Sequence, residues 1–167
     1  MTHWLTVIGA GEGALPPIPP AEIILGPKRL KSRVPNLVEW HSPTLEAMLA
    51  QIVALRGRPT VVLASGDPMW FGIGATLAKH LAPEEFRVQP GPSSFQLAAA
   101  RLSWPLQHVA MISLHGRPIE LLHPHVLPGN RILALTSDRT TLGAAAALLG
   151  ARGYGESRLT VLENLDA

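Results

Sequence analysis

Thr60-Val61-Val62-Leu63-Ala64-Ser65-Gly66-Asp67-Pro68-Met69-Trp70 joins an apolar, β-branched run to a small polar turn. Pro59 and Gly66 bracket the run, which predicts a short buried strand over Thr60 to Leu63. The turn then lies at the carboxyl end of that strand. In an open α/β sheet this is where ligands bind: Gly66 lets backbone approach closely, and Asp67 offers a carboxylate.

Upstream, His3 to Ile8 predicts a first strand that runs into Gly9-Ala10-Gly11-Glu12-Gly13-Ala14. By spacing alone this fits the dinucleotide fingerprint. That mode needs a helix opening on the last small residue, so that its N-terminus faces a pyrophosphate. Pro16, Pro17, Pro19 and Pro20 forbid a regular helix there. A nicotinamide-dependent oxidoreductase therefore rests on the loop alone, and the prolines speak against it. The loop reads better as a glycine-lined turn that keeps a cleft open.

Ala21 to Leu25 predicts a second strand and Leu37 to Trp40 a third. Between them Lys28-Arg29-Leu30-Lys31-Ser32-Arg33 suits a solvated surface, with a grip on an anionic substrate as the alternative. Ser42-Pro43 supplies an N-cap and an N1 proline for a helix over Leu45 to Leu55. Downstream, Phe71 to Leu81 predicts a helix and Phe86 to Val88 a strand. Pro90-Gly91-Pro92-Ser93-Ser94 is a second strand-to-helix turn before a helix over Phe95 to Leu102. Ser93 and Ser94 either hold a ligand's polar end or cap that helix.

Ser103-Trp104-Pro105 marks a boundary between an N-terminal α/β domain over 1–106 and a C-terminal one over 107–167. Val109 to Leu114 predicts a strand ending in His115-Gly116-Arg117-Pro118. A strand over Arg131 to Leu135, a helix over Thr140 to Leu149 and a strand over Arg158 to Leu162 follow. His123 and His125 lack a third ligand at useful spacing, so no metal site is expected.

With 47% hydrophobic and 16% charged residues the 167-residue chain is globular, and its net charge of +2 without a dense basic run argues against nucleic acid. It has no cysteine, hence no disulfide and no thiolate nucleophile. No apolar run approaches the roughly 18 residues of a spanning helix. No membrane association and a cytoplasmic location are the expectations. The strand-end turns carry one Asp, a few hydroxyls, one His and one Arg, with no triad and no carboxylate pair. That equipment suits a reaction whose cofactor brings the activated group, as in methyl transfer.

Gly9 to Gly13, Gly26-Pro27-Lys28-Arg29-Leu30, Ser65 to Gly74, Pro90 to Gln96, and Ser113-Leu114-His115-Gly116-Arg117-Pro118 occur in the order found in the tetrapyrrole (corrin/porphyrin) methylases. The chain resembles that family over nearly its whole length. The Ser-Leu-His-Gly-Arg stretch is most similar to its members that methylate carbon-5 of a precorrin in cobalamin synthesis, the N-terminal part of the decarboxylating C5,15-methyltransferases.

The resemblance implies two α/β domains with S-adenosylmethionine in the cleft between them and S-adenosylhomocysteine as product. It implies cofactor contacts from Ser65, Gly66, Asp67, Trp70, Ser93, Ser94, Leu135 and Thr136. Gly9, Gly11, Gly13, His115, Gly116 and Arg117 should face the tetrapyrrole, and His115 and Glu12 are the candidate bases. It further implies precorrin-6Y/6B or precorrin-7 as substrate, a homodimer, and a carbon-15 methyltransferase/decarboxylase domain, fused or separate. Two departures stand out. A proline-rich link replaces the family's usual helix after the glycine loop, and the second domain reads as truncated. Methylation of another tetrapyrrole and an inactive assembly fragment are the alternatives.

Overall fold

A computed structural model describes residues 3–11, 13–40 and 44–165. The chain divides into two compact units, Met1–Ser93 and Ser94–Leu165. The division falls before the helix at 94–102, whereas Ser103-Trp104-Pro105 placed it after that helix.

The first unit is built on five parallel strands: β1 (Leu5–Ala10), β2 (Ile23–Gly26), β3 (Val38–Glu39), β4 (Thr60–Ser65) and β5 (Phe86–Gln89), in the order β3-β2-β4-β1-β5. Leu5 pairs with Thr60 on one side and with Phe86 on the other, so β1 lies between β4 and β5. Alternation along the strands sends side chains to opposite faces. Leu5, Val7, Leu25, Val62 and Ala64 meet α1 (Leu45–Val53) and α2 (Ile73–Leu77) through Ile52, Ile73 and Leu77. Ile8, Ala10, Ile24, Val61 and Leu63 form the other face, against Leu30, Val34 and Leu37.

The proline-rich link covers this second face. Leu15, Ile18 and Ala21 pack against it, and their spacing of three is what an extended proline-rich segment presents to one side. No helix forms there among the described residues.

In this unit the predicted strands recur within about two residues, but two helices differ. Thr44 caps α1, its hydroxyl accepting from Ala47 N at 3.1 Å, while Ser42 and Pro43 lie outside the described residues. The helix expected over 71–81 is regular only at Ile73–Leu77. Gly72 and Gly74 favour it little, and beyond it the Leu77 carbonyl accepts from both His80 and Leu81, a tightened turn.

Glu85 fastens the opposite, amino end of the sheet. Its carboxylate accepts from Ala82 N at 3.0 Å and Trp4 Nε1 at 3.1 Å, and pairs with Arg56 Nε at 2.7 Å. The Ala82 amide first, then the Trp4 indole, hold its pKa below the usual carboxylate range; burial opposes them and Arg56 adds a smaller lowering. A folded-state pKa below the unfolded one gives stability that is complete above the unfolded value and lost as pH falls through the folded value. The urea midpoint should therefore drop on acidification below about pH 4. Glu85→Gln should lower the midpoint at pH 7 and flatten that drop; parallel curves for the two proteins would refute the assignment.

The second unit has two parallel strands, β6 (Val109–Ser113) and β7 (Arg131–Leu135). On one side Phe95, Ala98 and Ala99 of α3 (Ser94–Leu102) pack with Leu133. On the other, Ile132 packs with Leu122, Val126 and Leu149, the last from α4 (Arg139–Ala151). Asp138 caps α4: Thr140 Oγ1, Thr141 N and Thr141 Oγ1 donate to it and keep its pKa low. Residues 158–162, expected as a last strand, are irregular. Leu159 and Val161 are more than half exposed, and among the described residues no strand pairs with this alternating apolar segment. Among the described residues, no helix is long and apolar enough to cross a membrane.

Candidate active site

The chain leaves β1 toward β2 on one side and leaves β4 toward β5 on the other, over opposite faces of the sheet. The loops after β1 and β4 therefore diverge at a topological switch point, the crevice where open α/β sheets bind ligands. Gly9 lies near the end of β1, with Gly11 and Gly13 in the loop after it, and Ser65 ends β4, with Gly66, Asp67 and Trp70 in the loop after it. The sheet brings these two predicted groups together.

The crevice floor is backbone. A Cβ on Gly9 would stand 2.0 Å from the Gly66 oxygen and 2.3 Å from the Gly91 nitrogen. The loops after β1, β4 and β5 thus touch main chain to main chain, a contact that side chains would prevent. Gly66 also takes φ +60°, the left-handed region that glycine enters without strain.

The β4 turn is internally fastened. Asp67 Oδ1 accepts from Met69 N at 2.8 Å, and the Asp67 carbonyl accepts from Trp70 N at 3.2 Å. This Asx turn aims the chain outward. Met69, Trp70 and Phe71 are each over 40% exposed. The Trp70 and Phe71 rings meet edge to face at 5.9 Å. Phe71 has φ +57°, uncommon for a bulky residue and a form of strain that clusters at functional sites.

Arg29 and Arg33 reach the glycine loop from the segment after β2. Arg29 Nη2 donates to the Ala10 carbonyl at 3.2 Å and to Ser65 Oγ at 2.9 Å. Arg33 donates to the Gly11 carbonyl at 3.2 Å and to the Gly13 carbonyl. The basic cluster is thus neither plain solvated surface nor, at these two positions, uncommitted charge. Sequence alone favours a solvated surface, with a grip on an anionic substrate as the alternative; it carries no sign that carbonyls of the neighbouring loop take these two cations. Gly91 was likewise legible only as a turn residue. Ser93, buried, ends the first unit, and Ser94, exposed, opens α3 in the second. Glu12 lies outside the described residues.

In the second unit, His115, Gly116 and Arg117 form an exposed loop after β6, and Leu135 and Thr136 close β7 beside it. Leu114 N donates to the Leu135 carbonyl at 2.8 Å, and Gly116 N donates to Ser137 Oγ at 2.9 Å. Residues predicted for substrate and for cofactor are therefore stitched together at one end of this sheet. Ser137 went unnoticed in the sequence, where a lone serine after a strand carries no signal. His123 has structural work: Arg152 Nη1 donates to its Nδ1 at 2.9 Å and its carbonyl at 2.8 Å.

S-adenosylmethionine carries a sulfonium cation, an ammonium group, a carboxylate and ribose hydroxyls. A carboxylate and an exposed indole on one turn fit the cationic part, and hydroxyls with accessible main chain fit the rest. The donor set suits the group.

Residues 6–165 match the family model of the tetrapyrrole (corrin/porphyrin) methylases. The chain is 47% identical to a precorrin-6Y C(5,15)-methyltransferase (decarboxylating) from a Sinorhizobium species, over 99% of this chain and 43% of that protein. It is 32% identical to the cobalt-precorrin-7 C(5)-methyltransferase of Salmonella typhimurium, over 96% of this chain and 85% of that one. Among solved structures, the precorrin-6Y methylase CbiE from Archaeoglobus fulgidus superposes with a TM-score of 0.59 at 26% identity, over 80% of this chain and 73% of that chain. The chain spans less than half the length of its Sinorhizobium relative.

Proposed function

We propose that this chain, which belongs to the tetrapyrrole (corrin/porphyrin) methylase family, methylates carbon-5 of a precorrin, precorrin-6Y/6B or precorrin-7, from S-adenosylmethionine in cobalamin biosynthesis. One observation carries the choice of carbon-5. The chain accounts for 43% of a relative named for carbons 5 and 15, yet for 85% of a relative named for carbon-5 alone.

S-adenosylmethionine supplies an electrophilic methyl group on sulfur. The residues of the chain bind and orient. Asp67 and Trp70 face the cation, while Ser65, Gly66, Ser93 and Ser94 with Leu135 and Thr136 hold the remainder of the cofactor. The Gly9 to Gly13 loop, Gly116 and Arg117 meet the tetrapyrrole, the guanidinium pairing with a carboxylate side arm. Proton loss from the methylated carbon falls to His115 or Glu12. The reading includes a homodimer in the cytoplasm and a carbon-15 methyltransferase/decarboxylase, fused or separate, that acts on the same intermediate.

Calorimetric titration with S-adenosylhomocysteine, followed by incubation of a precorrin panel with methyl-labelled S-adenosylmethionine, tests this. Saturable binding and a single labelled methyl at carbon-5 are expected. A folded chain that binds no S-adenosylhomocysteine would overturn the reading; binding with label on another acceptor would overturn the substrate.

A further inference from the structure

Where the family's usual helix would follow the glycine loop, this chain has a proline-rich link without regular hydrogen bonds. A loop of glycines released from a helix has many conformations open to it, so something else must fix its course. The segment after β2 does so from a firm base. Leu30, Val34 and Leu37 are at most 5% exposed in the core, and Leu30 accepts from both Arg33 N and Val34 N. From that base Arg29 and Arg33 extend and meet carbonyls at Ala10, Gly11 and Gly13. Arg29 also reaches across to Ser65 on the neighbouring strand end.

We propose that Arg29 and Arg33 are positioning residues of the transfer site: together they hold the glycine loop in place of a helix, and Arg29 couples that loop to the Ser65-Gly66-Asp67 turn. Both bonds leave one terminal nitrogen, Nη2, which the rigid guanidinium plane holds in fixed directions at the full reach of the arginine side chain. A lysine ammonium brings the charge on a shorter stem, as a freely rotating point donor. The consequence for ligand affinity rests on the methyltransferase reading above; the consequence for the loop itself does not.

The test compares Arg29→Ala, Arg29→Lys, Arg33→Ala, Ser65→Ala and the Arg29→Ala/Ser65→Ala pair in the full chain. Amide hydrogen exchange without ligand should accelerate over residues 9–14 in all three arginine variants, and over 65–71 only in those at Arg29, with β5 and α4 unchanged. For S-adenosylhomocysteine, Arg29→Ala and Arg29→Lys should both raise Kd about tenfold. Ser65→Ala should add no further exchange over 65–71 on top of Arg29→Ala, because the bond between the two is already gone. Turnover should fall in kcat while KM for the precorrin stays within about twofold.

Unchanged exchange over 9–14 would overturn the proposal. So would Arg29→Lys behaving as wild type, a further rise in exchange over 65–71 when Ser65→Ala is added to Arg29→Ala, or a rise in KM alone, which would assign Arg29 to substrate carboxylates. If wild type fails to bind S-adenosylhomocysteine, the functional reading falls and the exchange data still decide the positioning role.

Discussion

Gly9→Ala should destabilise the first unit by about 3 kcal/mol or more and abolish S-adenosylhomocysteine binding. Overpacking a tight site costs about 1–3 kcal/mol when neighbouring side chains can turn aside. At Gly9 they are not side chains. The added Cβ would meet the Gly66 oxygen at 2.0 Å and, on Gly91, the nitrogen at 2.3 Å and Cα at 2.9 Å. Those atoms belong to the ends of β4 and β5, the two strands that flank β1. Relief requires moving one strand end away from β1, which breaks ladder hydrogen bonds and displaces the Ser65 to Trp70 turn at the same time. Gly116→Ala is the control. It has φ +62° but no atom within 4 Å of its Cβ, so it bears only the left-handed backbone cost of about 1–2 kcal/mol. Urea denaturation of both variants decides the matter: equal midpoints would show that the backbone contact at the crevice floor is unimportant.

This contact also marks where the sequence stops being legible. The strands were readable because each is a short β-branched or apolar run closed by Gly, Pro or a polar turn. Val61-Val62-Leu63 between Pro59 and Gly66 is the clearest. The order β3-β2-β4-β1-β5 was not, because pairing of parallel strands is set by distant segments and leaves no local mark. The glycines were visible one loop at a time; that Gly9, Gly66 and Gly91 converge follows only from β1 lying between β4 and β5. Arg29 and Arg33 read as charge in the sequence, yet both donate to carbonyls of the glycine loop, groups that every residue possesses and none advertises. Pattern misled outright at Arg158 to Leu162. Alternation there imitates a strand, but a strand is defined by its pairing, which alternation does not encode, and among the described residues this segment pairs with none. The proline link shows the converse. It excluded a helix from the sequence alone, and the covering of that sheet face passed to Leu15, Ile18 and Ala21.

Asp67 carries the second large effect, and two substitutions separate its parts. One carboxylate oxygen accepts from Met69 N and shapes the turn; the negative charge is what would meet the cation of S-adenosylmethionine. Asparagine keeps a carbonyl oxygen for Met69 and removes the charge, whereas alanine removes both. If the charge contacts the ligand, Asp67→Asn should raise its Kd about 10- to 100-fold, the worth of one charge-assisted hydrogen bond. Asp67→Ala should raise it further, since the Asx turn that presents Trp70 also opens. The cation is the sulfonium or the ammonium group, and S-adenosylhomocysteine has lost the first. Asp67→Asn should therefore weaken both ligands equally if the partner is the ammonium, and S-adenosylmethionine more if it is the sulfonium. In neither case does Asp67 exchange a proton with the substrate, so the rate of Asp67→Asn should keep both limbs of its pH profile. Wild-type affinity for both ligands in Asp67→Asn, or a missing limb in that profile, would remove Asp67 from cofactor binding and return it to acid–base chemistry or to the turn alone.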